Sequence, residues 1–235
     1  MSQVYGVNTV VDGLVLCLDA GNHRSYPGSG TIWTDVSGNG NTGTLFNSPT
    51  FSTDNSGYLS FDGTNDYATI PSTTLPSGNE LTLSVWNYGY LPTVASALIR
   101  FVNGSGVRLL NVHLTWSDGN IYFDAGDGSG GSYDRISKGT LIGGEWVYLG
   151  WHHWVFTKNA SAGTMKIYRD GELWQSGSGL TRPIGTATGT GYIATTSPTG
   201  TFHAGYISNI SLFNRELSVT EVVQNYNATK TRFGL

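Results

Sequence analysis

One cysteine, five glutamates and twelve lysines plus arginines in 235 residues set the first limits on this chain. A single cysteine excludes an intrachain disulfide, so the fold must rest on its core, an ion or a partner. Cys17 itself sits in the run Leu14-Val15-Leu16-Cys17-Leu18 and reads as a small buried hydrophobe. Charged residues make up 12% of the chain, against roughly 25% in an average globular domain, too few for a charged disordered tail. With a net charge of −4 there is no basic stripe. The densest cationic pair, Lys230 and Arg232, cannot neutralise a phosphate backbone, and no nucleic-acid partner is expected. No apolar run is long enough for a transmembrane helix, so no membrane insertion is expected. Residues 1–6 have neither a basic start nor an apolar stretch, and a secretory signal is not expected there.

What is present is glycine, serine, threonine, asparagine and aromatics, the chemistry of an outward-facing protein. The 33 glycines follow no G-X-Y period, so collagen is excluded. Apolar residues recur at every second position over short runs that end in turn residues, the pattern of strands. Leu81, Leu83 and Val85 make one such face. Trp154 and Phe156 share one side of the next aromatic run and Trp151 and Val155 the other, so that segment is expected to be buried on both sides. Asp170-Gly171 and Asp118-Gly119 are two-residue hairpin signals. One segment reads as helix: Ser218 and Glu221 form a capping box, Leu217 and Val222 a hydrophobic staple, and Val219, Val222, Val223 and Tyr226 a core-facing stripe. The Gly-rich stretches at 126–133 and 176–191 are too short for interdomain linkers. The expectation is an all-β chain, an antiparallel two-sheet β-sandwich with one short C-terminal α-helix, in a single domain spanning 1–235 with its core over about 14–227 and a tail at 228–235.

The order of five segments resembles the laminin-G-like, concanavalin A-like jelly-roll family. They are LSFDGTNDY at 59–67, LTLSVW at 81–86, WHHWVF at 151–156, KIYRDG at 166–171 and GYISNISLFNRELS at 205–218. The segments around 18–41 and 224–234 are similar to the version found in virion proteins of tailed, notably marine, bacteriophages. That resemblance implies a jelly roll, placed on the outside of a particle by assembly and lysis rather than by export. It also implies a calcium ion near the Phe-Asp-Gly motif and an aspartate after the late Gly-x-Ile. Here that aspartate position is Ser208, which leaves Asp62, Asp66 and Asn209 as substitutes.

Glycoside hydrolysis needs two carboxylates flanking the scissile bond. The five glutamates, at 80, 145, 172, 216 and 221, offer no such pair on one strand face, and Asp62/Asp66 and Asp124/Asp127 read as turn residues. Calcium is the stronger chemical candidate: Asp35, Asn39 and Asn41 present oxygens at alternating positions of one loop, which reads equally as a turn held by side-chain to backbone bonds. His152 and His153 point to opposite faces of a strand and cannot share a zinc ion. The loop at 126–131 lacks the Lys-Ser/Thr of a phosphate cradle. Sugar binding needs an aromatic face beside groups that bond hydroxyls, on loops at a sandwich rim. Trp116, Asp118 and Asn120 at one turn and Tyr133, Asp134 and Arg135 at the next make that rim.

The function expected from this reading is a non-enzymatic phage virion surface protein that binds glycans in a lectin-like way. Its expected partners are capsid or tail proteins, host or environmental glycans and a second copy of the chain. A purely structural decoration protein is the alternative, and a glycoside hydrolase ranks behind both.

Overall fold

The computed structural model describes residues 9–90, 95–142, 149–235 and the backbone of 145–146. In chain order its strands begin with Leu14–Asp19 (β1), Ile32–Trp33 (β2), Gly43–Phe46 (β3), Thr50–Ser52 (β4), Tyr58–Asp62 (β5) and Tyr67–Pro71 (β6). Next come Glu80–Gly89 (β7), Ile99–Val102 (β8), Arg108–His113 (β9), Asn120–Ala125 (β10), Asp134–Gly139 (β11) and Leu141–Ile142 (β12). The last are Glu145–Trp146 (β13), Gly150–Asn159 (β14), Thr164–Arg169 (β15), Glu172–Ser178 (β16), Thr190–Ile193 (β17) and Ala204–Phe213 (β18). The helix Val219–Thr229 (α1) follows.

Two eight-stranded antiparallel sheets carry almost all of these strands. The first runs β16-β15-β14-β7-β18-β5-β4, with β1 also on β18; the second runs β11-β10-β9-β8-β17-β6-β3-β2. Ile207 of β18 pairs with β5, whereas Asn209 through Phe213 pair with β1, and the register shift falls at Ser208 between them. Leu83, Val85, Trp154, Phe156 and Ile210 of the first sheet meet Phe101, Val112, Ile121 and Phe123 of the second in one core. The alternation that predicted these faces is therefore the alternation that fills the sandwich. Asp170 and Gly171 both take positive φ, at 54° and 85°, as a two-residue hairpin turn with matching twist requires.

β14 is buried along most of its length, as expected, because α1 and the end of the chain lie on the outer side of the first sheet. The capping box at Ser218 and Glu221 is present. Leu217 and Val222 both join a second small core with Val155, Tyr168 and Phe213.

The expected stripe on α1 needs correction. Val219 is 55% and Val223 36% exposed, and the buried helix residues are Val222, Asn225 and Thr229. The sheet beneath the helix offers polar partners, so the helix turns a polar edge toward it: the Trp86 indole donates to Thr229 Oγ1 at 2.8 Å, and the Val10 amide to Asn225 Oδ1 at 2.8 Å. The last turn packs as well, with Phe233 stacked on Trp86 at a centroid distance of 4.0 Å.

Candidate functional site

Ile121, Phe123 and Ala125 of β10 point into the core, so Tyr122 and Asp124 between them point outward. Strand pairing extends that outer face sideways. Asp124 stands opposite Arg135 on β11 and Asn111 on β9, and Tyr122 stands opposite His113. Asn111 in turn faces Arg100 on β8, and Arg100 faces Tyr192 on β17. A row of polar and aromatic side chains thus crosses the second sheet from β11 to β17.

Asp124 anchors the row. Although it lies on the outer face it is wholly buried, because its neighbours close over it. Its carboxylate accepts from Arg135 Nε at 2.6 Å and Nη2 at 2.9 Å, and from Arg108 Nη1 at 2.9 Å. The charge-assisted pairing is bidentate for Arg135, which fixes its guanidinium plane, and single for Arg108. The Tyr133 hydroxyl accepts from Arg108 at 3.2 Å and Arg135 at 3.4 Å. The Arg135 guanidinium also lies 4.8 Å over the Tyr122 ring. Tyr122 donates its phenol proton to Asp118 at 2.6 Å. Against the burial that would raise it, that bond and those from Asn120 hold the Asp118 carboxyl below the usual range.

Trp116, half-exposed, stands edge-on to His113 at a centroid distance of 4.4 Å. His113 Nδ1 donates to the Ser96 carbonyl at 2.9 Å, which leaves Nε2 as an acceptor. Burial pushes the His113 pKa down to about 4, so the ring is neutral at neutral pH. Trp116, Asp118, Tyr122, Tyr133, Arg135, Arg108 and His113 together line a cleft of about 270 Å³. Arg100 lies beside it; burial and the nearby Arg108 charge lower its pKa.

Four of the six rim residues expected from the sequence, Trp116, Asp118, Tyr133 and Arg135, therefore converge. Asn120 does not line the cleft: its backbone amide holds the Asp118 turn at 2.9 Å. Asp134 is a correction. It occupies the opposite side of β11 from Arg135, where its carboxylate takes the buried Lys158 ammonium at 2.7 Å and the Arg182 amide at 2.9 Å. Neighbouring strand residues cannot both face one rim. Asp124, read as a turn residue, is a strand residue at the centre of the face. Arg100, Arg108, Asn111, His113 and Tyr122 had only their alternation as a signal, shared with every other strand in the chain.

The calcium candidates are held by protein groups. Asp35 accepts from the Cys17, Ser37 and Asn41 amides, each at 2.9 Å, and from Ser37 Oγ at 2.8 Å. Asn39 and Asn41 donate to the Leu14 and Val15 carbonyls, tying the loop to β1. Asp62 accepts from Thr64, Asn65 and Asp66 amides, the pattern of a turn. Asn209 is remote from Asp62 and Asp66: Asp62 pairs with Ala204, and Asn209 pairs with Asp19 further along β18. At Ser208, the hydroxyl donates to the Gly57 carbonyl at 2.7 Å and accepts from Arg232 at 3.1 Å, so the chain brings its own cation there. Among the described residues no three His, Cys, Asp or Glu side chains gather as a metal cage. Cys17 is buried, its thiol pushed up to about 12 by burial. His152 bonds Asp170 while His153 bonds Ser84, on opposite faces as expected.

Residues 62–223 match the sequence model of a laminin G-type family described as the concanavalin A-like lectin/glucanases superfamily. No curated protein sequence matches the chain. Among solved structures, the binding domain of botulinum neurotoxin serotype G superposes with a TM-score of 0.71 at 17% identity, covering 91% of this chain and 50% of that one. The serotype D binding domain gives 0.70 at 16%, covering 93% and 52%. A serotype D ligand binding domain in complex with N-acetylneuraminic acid gives 0.68 at 16%, covering 93% and 51%. The chain spans about half the length of these structures, and at such identity they share its fold.

Proposed function

The chain belongs to the concanavalin A-like lectin/glucanase superfamily, and on that premise we propose that it is a non-enzymatic carbohydrate-binding domain whose site is the outer face of the second sheet. One observation carries this reading: a half-exposed indole, Trp116, stands over a cleft edged by the Tyr133 hydroxyl, the Asp118 carboxylate, the Arg135 guanidinium and the neutral His113 ring. An aromatic face with a few fixed donors and acceptors is how a protein grips a pyranose, the ring on the indole and its hydroxyls on the polar edge. Support for binding without hydrolysis comes from Asp124, which is sealed beneath Arg108 and Arg135 and cannot meet a glycosidic oxygen. A glycan array tests the reading. Wild-type protein retains saccharides and Trp116→Ala retains none; cleavage of any retained saccharide overturns the non-enzymatic part.

The virion-surface role rests on the sequence resemblance of residues 18–41 and 224–234 to tailed-phage proteins. A second half-exposed aromatic patch, Tyr58, Tyr88, Trp151 and Tyr206 on the outer side of the first sheet, supports docking to a particle through the face opposite the cleft. Mass spectrometry of purified particles tests it, and absence of the chain from them sinks it.

A further inference from the structure

Two guanidinium groups meet one carboxylate on the second sheet, and a third stands on the same face two strands away. Arg108 and Arg135 are satisfied by Asp124 and Tyr133. Arg100 is not: strand pairing sets it beside Asn111, which in turn pairs with Asp124; it is half-buried and makes no hydrogen bond to a described residue. Against Arg100, Arg108 and Arg135 the cleft sets Asp124 and Asp118, one negative charge short of balance. A partly desolvated cation beside the like charge of Arg108, drawn to an Asp124 carboxylate that Arg108 and Arg135 already occupy and bonded to no described residue, costs free energy that an anion would recover. The Tyr133 hydroxyl is arranged for the same guest, since it accepts from two guanidinium groups and keeps its own proton to donate.

The strand register says where the rest of such a guest would lie. Tyr192 is the direct neighbour of Arg100 across the β8/β17 pair, about 4.8 Å away at ordinary strand spacing. Beyond it the same face continues over the buried Tyr67, whose ring is 6.3 Å from Tyr192, to the exposed Phe46 stacked on it at 4.8 Å. A cationic end therefore gives way to an aromatic track along one sheet face. We propose that the site selects saccharides bearing an anionic substituent, a carboxylate or a sulfate, with that substituent on Arg100 and the adjoining sugar ring against Tyr192. This rests on the carbohydrate-binding reading above and narrows its ligand class.

The test is calorimetry with matched probes. Tetragalacturonate, hexamannuronate and sialyllactose form the carboxylated arm, κ-carrageenan hexasaccharide, which carries sulfate and no carboxylate, the sulfated arm, and the methyl esters of the two uronates with lactose the neutral arm. At least one acidic probe binds at least tenfold more tightly than the neutral arm, and its affinity falls as salt rises from about 50 to about 500 mM. The better of the two acidic arms identifies the substituent. Arg100→Gln removes at least tenfold of that affinity while its melting temperature stays within a few degrees of wild type, because Arg100 bonds no other described side chain; Tyr192→Ala weakens acidic probes several-fold. Equal affinity for acidic and neutral probes, or unchanged binding in Arg100→Gln, overturns the acidic-ligand inference and leaves the lectin reading standing. Binding of none of the probes overturns both.

Discussion

The outer faces of the two sheets are both rich in aromatics, and the fold treats them in opposite ways. On the first sheet Trp86 and His153 lie under the C-terminal helix and last turn, where Phe233 and Tyr226 stack on Trp86 and Thr229 accepts its indole proton, while the half-exposed Trp151 stands at the edge of that cover. On the second, Trp116, Tyr122 and Tyr133 interleave with Arg108 and Arg135 and line an open cleft. A tryptophan that meets a covering element is spent on stability, whereas one framed by cations and hydroxyls is left to meet a ligand.

The comparison can be broken most severely with acid, which attacks both faces at once. His113 on the open face, His153 under the helix and His203 between the sheets are each held by burial near a pKa of about 4, against about 6.5 when unfolded. Below pH 6.5 the unfolded chain takes up protons that these rings refuse. Their contribution is therefore complete above 6.5 and is lost progressively toward pH 4. Melting temperature is expected to drop by upwards of roughly 10 °C between pH 7 and 4.5. A flat acid profile would show that these imidazoles are not held neutral.

Truncating Trp86→Ala empties the centre of the covered face, and denaturant titration should register a loss of about 3–5 kcal/mol with glycan binding intact. Asp124→Ala strikes the anchor of the open face. It leaves two guanidinium groups facing each other, but both are partly solvated, so the expected cost is about 2 kcal/mol, accompanied by loss of saccharide binding. Smallest in stability is Trp116→Ala, expected to shift unfolding by less than about 1 kcal/mol while abolishing retention on the array. If Trp116→Ala instead destabilised the chain as much as Trp86→Ala, the two faces would not differ in the way described.

Several elements could be read before any coordinates. The period-two alternation at Leu81, Leu83 and Val85, the Asp170-Gly171 turn and the Ser218/Glu221 capping box are local signals, carried by residues a few positions apart, and each appears where expected. The helix stripe differs from its expected course because the 3.6-residue period locates an apolar edge but not what lies under it; Thr229 faces the sheet, where the Trp86 indole needs an acceptor, and Asn225 takes the amide of Val10 in the segment before β1. The site was legible only at its loops. Trp116, Asp118, Tyr133 and Arg135 stood out as turn neighbours, while Asp124, Asn111, His113 and Arg100 come to the cleft or its edge only through pairing across 9 to 13 positions.

The sequence by itself determined the class of fold, the turn and cap chemistry and the burial of Cys17, because each follows from short-range pattern and side-chain type. Only the tertiary structure decided which sheet face α1 covers, that Asp134 turns inward to Lys158 while Arg135 turns outward to Asp124, and that two arginines meet at that carboxylate with a third on the same sheet face. Those outcomes depend on strand register, and register is a relation between distant segments that no single segment encodes.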